Sequence, residues 1–481
     1  MLENLLIGAY LTILGLLAVY GFHRSHLVYL FMKTRENKPK PKGEFKEWPF
    51  VTIQLPMFNE RYVAERLIEA VAKIDYPHEK FEIQVLDDST DDTTEIARAA
   101  VEAVMHRGIQ ASLVHRSDRT GYKAGALENG LRTAKGEFVA VFDADFIPPS
   151  DILRDTINFF TDESVGMVQV RWGHINRRYS MLTRIESLML DGHFVIEHGA
   201  RQRSGRFFNF NGTAGMWRRK AISDAGGWEH DTLTEDMDLS YRAQLKGWKF
   251  VYLPDVVAPA EVPVEMASFK SQQHRWAKGS IQVARKMLPV VLRSNAPFKV
   301  KVEAIFHLTN NLAYVLMIFL ALLLLPNLLV RTEHGWREVI LIDLPLFFGT
   351  TVSIGTFYVV AHRQLYGGTW KAIAKVPLLM ALGIGLSINN AKAVLEGLFG
   401  YQSEFVRTAK HGIETRSCAW RQMTYRAKKG LVPLVELLFA SYFVVTIYAA
   451  VIGKHYVSLP FLALFLLGYL YVGALSIYQR R

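Results

Sequence analysis

Five apolar runs limit what this chain can fold into more than any other feature. They are Leu5 to Phe22, Leu312 to Val330, Val339 to Ala361, Leu431 to Ile452 and Val457 to Tyr478. Each has roughly the 20 residues a helix needs to cross hydrocarbon, where an open backbone finds no partners. A shorter run, Val376 to Ile388, stops at Asn389, Asn390 and Lys392 and reads as an interfacial or re-entrant helix. Half of the 481 residues are apolar, yet 21% are charged. A water-soluble domain therefore sits between the first span and the rest.

Charge gives the orientation. Seven Lys or Arg lie between Arg24 and Lys46, and eight between Lys392 and Lys429. Basic loops stay on the cytoplasmic side. Five crossings put both stretches and Arg480-Arg481 there, whereas a sixth would push one basic loop across. No basic residue precedes Leu5 and no small-residue cleavage site follows Phe22, so a retained span is expected. The expected location is a cytoplasmic (inner or plasma) membrane, with the soluble domain in the cytosol. The net charge of +11 is concentrated beside the spans, which points to the membrane surface and away from nucleic acid. One cysteine, Cys418, excludes an internal disulfide and a cysteine-rich metal site. The expected layout is a membrane helix over 1–32, a basic linker over 33–48, a soluble domain over 49–265 and amphipathic interface helices over 266–303. A membrane region over 304–481 follows, with an interfacial segment at 376–399 and a distinctive loop at 403–412.

From about Pro49 the pattern becomes strand, loop, helix, repeated. Phe50–Leu55, Phe81–Leu86, Ala111–His115 and Phe138–Phe142 read as strands, and Tyr62–Lys73, Thr93–Met105 and Tyr122–Ala134 as helices. Such alternation predicts an α/β domain with a mainly parallel sheet, helices on both faces and ligands at the carboxyl ends of the strands. Asp87, Asp88, Asp143 and Asp145 all fall at those ends. Later, Trp248–Leu253 reads as a strand and Ala267–Leu288 as a helix with a basic face.

Several short motifs can carry chemistry, and each also has a structural explanation. Asp143 and Asp145 are two apart, so an extended chain aims both to one side. Carboxylates are hard ligands suited to Mg²⁺ or Mn²⁺, which take further ligands from substrate phosphate; a turn with two solvated acids looks the same in sequence. Asp87 and Asp88 either support the start of the following helix or accept hydrogen bonds from a nucleoside. Lys123, in Gly121-Tyr122-Lys123-Ala124-Gly125, opens a helix and suits a diphosphate. In Thr234-Glu235-Asp236 the acids suit a first helical turn, and Asp236 also suits a general base for a sugar hydroxyl. Gln272, Arg275 and Trp276 share one helical face, where a guanidinium can clamp phosphate and an indole can stack on a sugar.

The order of these motifs is more specific than any one of them. With the phrases PMFNE, QVLDDSTD, GYKAGAL, FDADF, FNGTAG, EDMDL, LKGWKFVYL and QQHRW, the chain from Val51 to Lys278 resembles the family-two, membrane-embedded glycosyltransferases. The likeness is closest to the plant cellulose-synthase-like mannan and glucomannan synthases, and more distant to cellulose synthase. Phe405–Gly412 is similar to the gating loop of those synthases, with Arg407 as a departure from the cellulose synthase form. The resemblance implies a glycosyltransferase-A-like (Rossmann-like) domain with a mixed sheet. It implies that Asp87, Asp88, Lys123, Asp143, Gln272 and Arg275 bind the donor, that Asp143 and Asp145 hold the metal and that Asp236 is the base. It also implies an acceptor site of Trp276, Phe210, Asn211, Gly212, Thr213 and Glu235.

The implied reaction is inverting transfer of a hexose from GDP-mannose or UDP-glucose to a β-1,4-linked polysaccharide that leaves through the membrane. His307, Asn310, Asn311, Asp343 and Glu436 are candidates to line that route; helix-to-helix hydrogen bonds are the alternative for each. The competing activity is one transfer to a glycolipid acceptor such as a ceramide, diacylglycerol or polyprenyl phosphate, for which these motifs would serve equally. Partner subunits are not legible in the sequence.

Overall fold

The computed structural model describes residues 1–335, 340–401, 407–414, 425 and 430–479. A first helix, α1 (Leu2–Lys33), leads to the soluble domain. There β1 (Val51–Met57), α2 (Ala64–Val71), β2 (Phe81–Asp87), α3 (Thr93–His106), β3 (Gln110–His115), α4 (Tyr122–Leu131) and β4 (Phe138–Val141) alternate as expected. β3, β2, β1 and β4 are neighbours in that order and all parallel. Side chains of β4 alternate between two cores: Phe138 and Ala140 join one with Leu67, Ile68 and Val101, and Val139 and Val141 join the other with Leu127 and Leu239. Both faces are thus covered by helices.

The second half changes direction. After α5 (Ile152–Ile157) come β5 (Val165–His174), α6 (Met181–Asp191), a π-helix at Gly192–His198, α7 (Gly199–Arg203), β6 (Gly215–Arg218), α8 (Arg219–Asp224), α9 (Glu235–Leu245) and β7 (Lys249–Ala260). β6 lies antiparallel between β4 and β5, and β5 pairs parallel with β7. The result is one mixed seven-stranded sheet ordered β3-β2-β1-β4-β6-β5-β7. The antiparallel β6 carries the segment before it, residues 210–214, to the carboxyl end of β4.

The membrane part follows as α10 (Met266–Arg293), α11 (Phe298–Thr309), α12 (Leu312–His334), α13 (Ile340–Tyr366), α14 (Thr369–Ile373), α15 (Val376–Gly385), α16 (Ser387–Phe399), α17 (Val432–Ile452) and α18 (Leu459–Tyr478). Among the described residues five helices are long and apolar enough to cross a bilayer. A pair covering Thr369–Gly385 and Ser387–Phe399, bent by 47°, makes a sixth if it counts as one span. The expected Val376–Ile388 segment falls inside this bent pair.

The polar residues of this region are mostly paired. Tyr241 Oη lies 2.8 Å from His307 Nδ1, Asn311 donates to Ser280 Oγ at 2.6 Å, and Arg331 binds Asp343. Asn310 instead lines a cavity of about 1430 Å³ between α1, α12, α13, α15 and α18. Lys270 of α10 donates to Glu436 of α17 at 2.6 Å and to Ser476 of α18 at 2.8 Å, all three being buried. Losing one partner of a buried pair leaves an uncompensated charge, at about 3–5 kcal/mol, whereas replacing both by apolar groups is nearly neutral. Thermal unfolding in detergent is therefore expected to show a large loss of stability for Lys270→Met and recovery in Lys270→Met with Glu436→Leu.

Candidate active site

The acids reach one cleft from separate elements. At the end of β4, Phe142 N–H donates to Gln54 O at 3.1 Å and Asp143 N–H to Thr213 Oγ1 at 2.8 Å. The chain then turns, with Phe146 N–H on Asp143 O at 3.0 Å. Asp143 and Asp145 thus share a cavity through a turn, and not through continued strand alternation. Glu235 and Asp236 occupy the first turn of α9 with Thr234 at the N-cap. Thr234 makes no side-chain cap; it packs beneath Gly279 of α10, where a Cβ would come within 2.6 Å of its Cγ2. Asp238 fixes the same turn through Arg242 at 2.7 Å and Lys286 at 3.1 Å. Lys123 enters from the first turn of α4, and Gln272, Arg275 and Trp276 from α10.

These residues line a single open cleft enclosing about 1270 Å³: Asp88, Lys123, Asp143, Asp145, Asn211, Gly212, Glu235, Asp236, Gln272, Arg275 and Trp276. Three non-glycine residues with left-handed backbone, Asn59, Tyr122 and Ala214, sit within two positions of its lining. Strain of that kind persists where the surroundings over-determine it.

Charges of opposite sign are interleaved around the cleft. Lys123 Nζ binds Asp143 Oδ1 and donates to Gly212 O at 2.8 Å. Burial works against its charge, but Asp143, Glu235 and Asp236 outweigh burial and raise its pKa. Burial lowers the Arg275 pKa, opposed by Glu235, Asp143 and Asp236. Burial, and then the neighbouring Glu235 charge, push the Asp236 carboxyl up to about 7. Lys410 Nζ binds Asp145 Oδ2. Each acid of the Asp143–Asp145 pair therefore draws a cation to itself, and the hard oxygen donors fit a divalent ion.

Three of the expected site residues do not line this cleft. Asp87 is fully buried and accepts from Thr94 Oγ1 at 2.7 Å and Ser89 N at 3.0 Å, with His115 Nδ1 at 2.8 Å. It secures the β2 end, while Asp88 faces the cleft and carries Arg116 on both oxygens. Phe210 is a core ring packed edge-on against Trp217 at 5.6 Å. Thr213 is buried behind Asp143, whose backbone it holds.

The structure adds residues that sequence motifs did not mark as part of the site. Glu60, Arg119, Arg407, Thr408 and Lys410 also line the cleft. Arg119 lies 3.3 Å over the Phe58 ring, and Arg407 pairs with Glu60 at 2.9 Å. The phrase Phe405–Gly412 was the available signal for the last three, although Phe405 and Val406 fall outside the described residues. Glu60 ends the phrase PMFNE, to which the resemblance attaches no role, and Arg119 lies in no motif.

Fold and cleft together define a glycosyltransferase of the nucleotide-sugar type. A model described as Glycosyltransferase like family 2 matches residues 49–279. Glucomannan 4-beta-mannosyltransferase 7 of Arabidopsis thaliana is 34% identical over 474 residues, 93% of this chain and 83% of that protein. Glucomannan 4-beta-mannosyltransferase 1 of Oryza sativa subsp. japonica is 37% identical over 382 residues, 76% of this chain and 70% of that protein. Among solved structures, mannosyltransferase PcManGT from Pyrobaculum calidifontis, in complex with GDP-Man and Mn²⁺, shares the fold. It aligns with a TM-score of 0.55 and 22% identity, covering 82% of this chain and 100% of that one. The chain belongs to the cellulose-synthase-like, family-two glycosyltransferases that include these glucomannan mannosyltransferases.

Gly212 gives a direct test of the cleft geometry. Its φ is +77°, and a Cβ there would lie 3.1 Å from Asp236 Oδ2 and 3.4 Å from Lys123 Nζ. Gly212→Ala is expected to keep the circular dichroism spectrum and lower kcat by roughly 100-fold, the scale of an ångström-level misplacement.

Proposed function

We propose that this chain is a processive, inverting synthase. It moves mannose from GDP-mannose, or glucose from UDP-glucose, onto a growing β-1,4-linked chain and passes that chain through the membrane. The observation that carries this reading is the convergence of Asp143, Asp145 and Asp236 with Lys123, Arg275 and Trp276 on one cleft. The names of the curated relatives favour mannose as the transferred sugar, and the GDP-Man held by the solved relative agrees.

The residues divide the work as follows. Asp88 faces the nucleoside, with Asp87 supporting it from behind. Asp143 and Asp145 hold a divalent ion, Mg²⁺ or Mn²⁺, which when bound supplies positive charge against the donor diphosphate. Gln272 binds phosphate, and Trp276 stacks on the acceptor sugar beside Asn211 and Gly212. Asp236 takes the proton from the acceptor hydroxyl. That oxygen then forms the bond to the anomeric carbon as the carbon–phosphate oxygen bond breaks on the opposite face. The electron pair leaves with the nucleoside diphosphate, where Lys123 and Arg275 meet the added charge. Inversion of an α-linked donor gives a β-linkage. Glu235 acts on Asp236, since its charge raises the basicity of its neighbour.

Residues 49–265 form the catalytic domain in this scheme, and the basic stretches beside the spans support a cytosolic position for it. The cavity among α1, α12, α13, α15 and α18 is the route offered to the polymer; its apolar walls with Tyr20, Tyr314 and Tyr358 suit the faces of sugar rings.

Purified protein offered labelled GDP-mannose or UDP-glucose is expected to make a ladder cut by a mannanase or a cellulase. One glycolipid spot would replace this reading with the single-transfer alternative. Asp236 works as a base only when ionised, so turnover is expected to rise with pH through about 7, where its carboxyl titrates. Asp236→Asn is expected to retain GDP affinity by calorimetry and to lose turnover by about 1000-fold or more; wild-type turnover would remove Asp236 from this role.

A further inference from the structure

The helical stretch from α6 to α7 is broken by the π-helix Gly192–His198, a wide turn often found at functional positions. On an α-helix, residues five apart point about 140° away from each other; the π-helix brings them to one side. His193 and His198 stand 4.4 Å apart, and both reach Asn211 in the cleft.

The hydrogen bonds fix the direction of every group. Glu197 Oε2 can only accept, so His193 Nδ1, 2.9 Å away, carries the proton. The other ring nitrogen, Nε2, faces the Asn211 amide nitrogen, which can only donate, so Nε2 accepts. It takes the Asn211 amide N–H at 2.9 Å. The Asn211 carbonyl is thereby turned to His198, whose Nε2–H donates to it. Burial holds His198 well below the usual histidine range and so neutral, and its Nδ1 is buried without a partner among the described residues. Glu197 is anchored by Arg201 at 3.3 Å and faces Arg24 at 3.7 Å. The Asn211 backbone is held as well, its N–H donating to Gln169 Oε1 at 2.9 Å.

We propose that His193 is a positioning residue for the acceptor sugar, acting through Asn211. The inference rests on Asn211 binding the acceptor, as in the function proposed above. Asn211 lines the cleft one residue from Gly212, which abuts Asp236. Its amide is held in one orientation, with Nδ2 donating one N–H to His193 and Oδ1 accepting from His198, so its second N–H can serve a ligand. An acceptor whose hydroxyl both accepts from that N–H and faces Asp236 is held in register for transfer. His193 itself does not line the cleft. Glu197, which holds His193, also lines the membrane cavity, so the acceptor end and the mouth of that cavity share one anchor.

The test compares wild type, His193→Gln and His193→Leu at saturating GDP-mannose with manno-oligosaccharide acceptors, and measures GDP affinity by calorimetry. Glutamine can accept from Asn211 and donate to Glu197; leucine can do neither. His193→Leu is expected to raise the acceptor KM by about 10-fold, the worth of one hydrogen bond. His193→Gln is expected to stay near the wild-type value, and GDP affinity to stay unchanged in both. An unaltered acceptor KM in His193→Leu overturns the proposal, as does equal damage by both variants or a parallel loss of GDP binding. Asn211→Ala, run alongside, separates the two claims. An unaltered acceptor KM there removes Asn211 from the acceptor site while leaving the base role of Asp236 untouched.

Discussion

Like charges crowded at the carboxyl end of the central strand β4 are the constraint on which the rest of this structure depends. Asp143, Glu235 and Asp236 face one another across a cleft that is only partly open to water. Two such charges about 4 Å apart interact by roughly 4 kcal/mol in a partly screened protein setting, too much to leave unopposed in a domain of ordinary stability. Lys123 and Arg275 supply the opposition from α4 and α10, and Lys410 of the 407–414 segment does the same for Asp145. Supporting pairs hold the carriers in place: Asp238 with Arg242 and Lys286 at α9, and Arg116, bound to Asp88, which donates to Tyr122 O at the start of α4. The unusual local features follow from the same crowding. Gly212 has no side chain because Asp236 and Lys123 occupy the space, and Gly279 has none because Thr234 must lie close.

Much of the fold is legible in sequence because period and apolar content set it locally. The first four strands are short, apolar and bounded by turn residues, and they form in the expected order. The five long apolar runs form helices of spanning length, because only helices and closed barrels satisfy a backbone in lipid and these runs are too long for barrel strands. β6 carries no comparable local signal. Gly215–Arg218 has four residues, and its antiparallel register depends on β4 and β5 lying on either side. A pairing set by distant segments cannot be read from either one alone.

The site divides in the same way. Residues fixed by one element, such as Lys123 at a helix start or Gln272, Arg275 and Trp276 on one helical face, are legible and reach the cleft. Residues whose direction is settled by a tertiary contact are not. Asp87 and Asp88 are adjacent and chemically identical, yet Thr94 and Ser89 claim the first and the cleft receives the second. Thr213 holds the backbone of Asp143 instead of facing outward. His193 and His198 depend on a π-helix that no apolar period announces. The polar residues of the spans follow this rule too: His307, Asn311, Asp343 and Glu436 each meet a partner on another element, and Asn310 alone of that group borders the large membrane cavity.

In the proposed function the Asp143–Asp145 pair would hold the divalent ion on the donor diphosphate, and Lys123 and Lys410 pair with those acids. Electron paramagnetic resonance of Mn²⁺ titrated into the purified protein with GDP tests this most directly. Wild type is expected to bind Mn²⁺ in a GDP-dependent manner, and Asp145→Asn to lose most of that binding while keeping its fold. Equal GDP-dependent Mn²⁺ binding by Asp145→Asn would contradict the account.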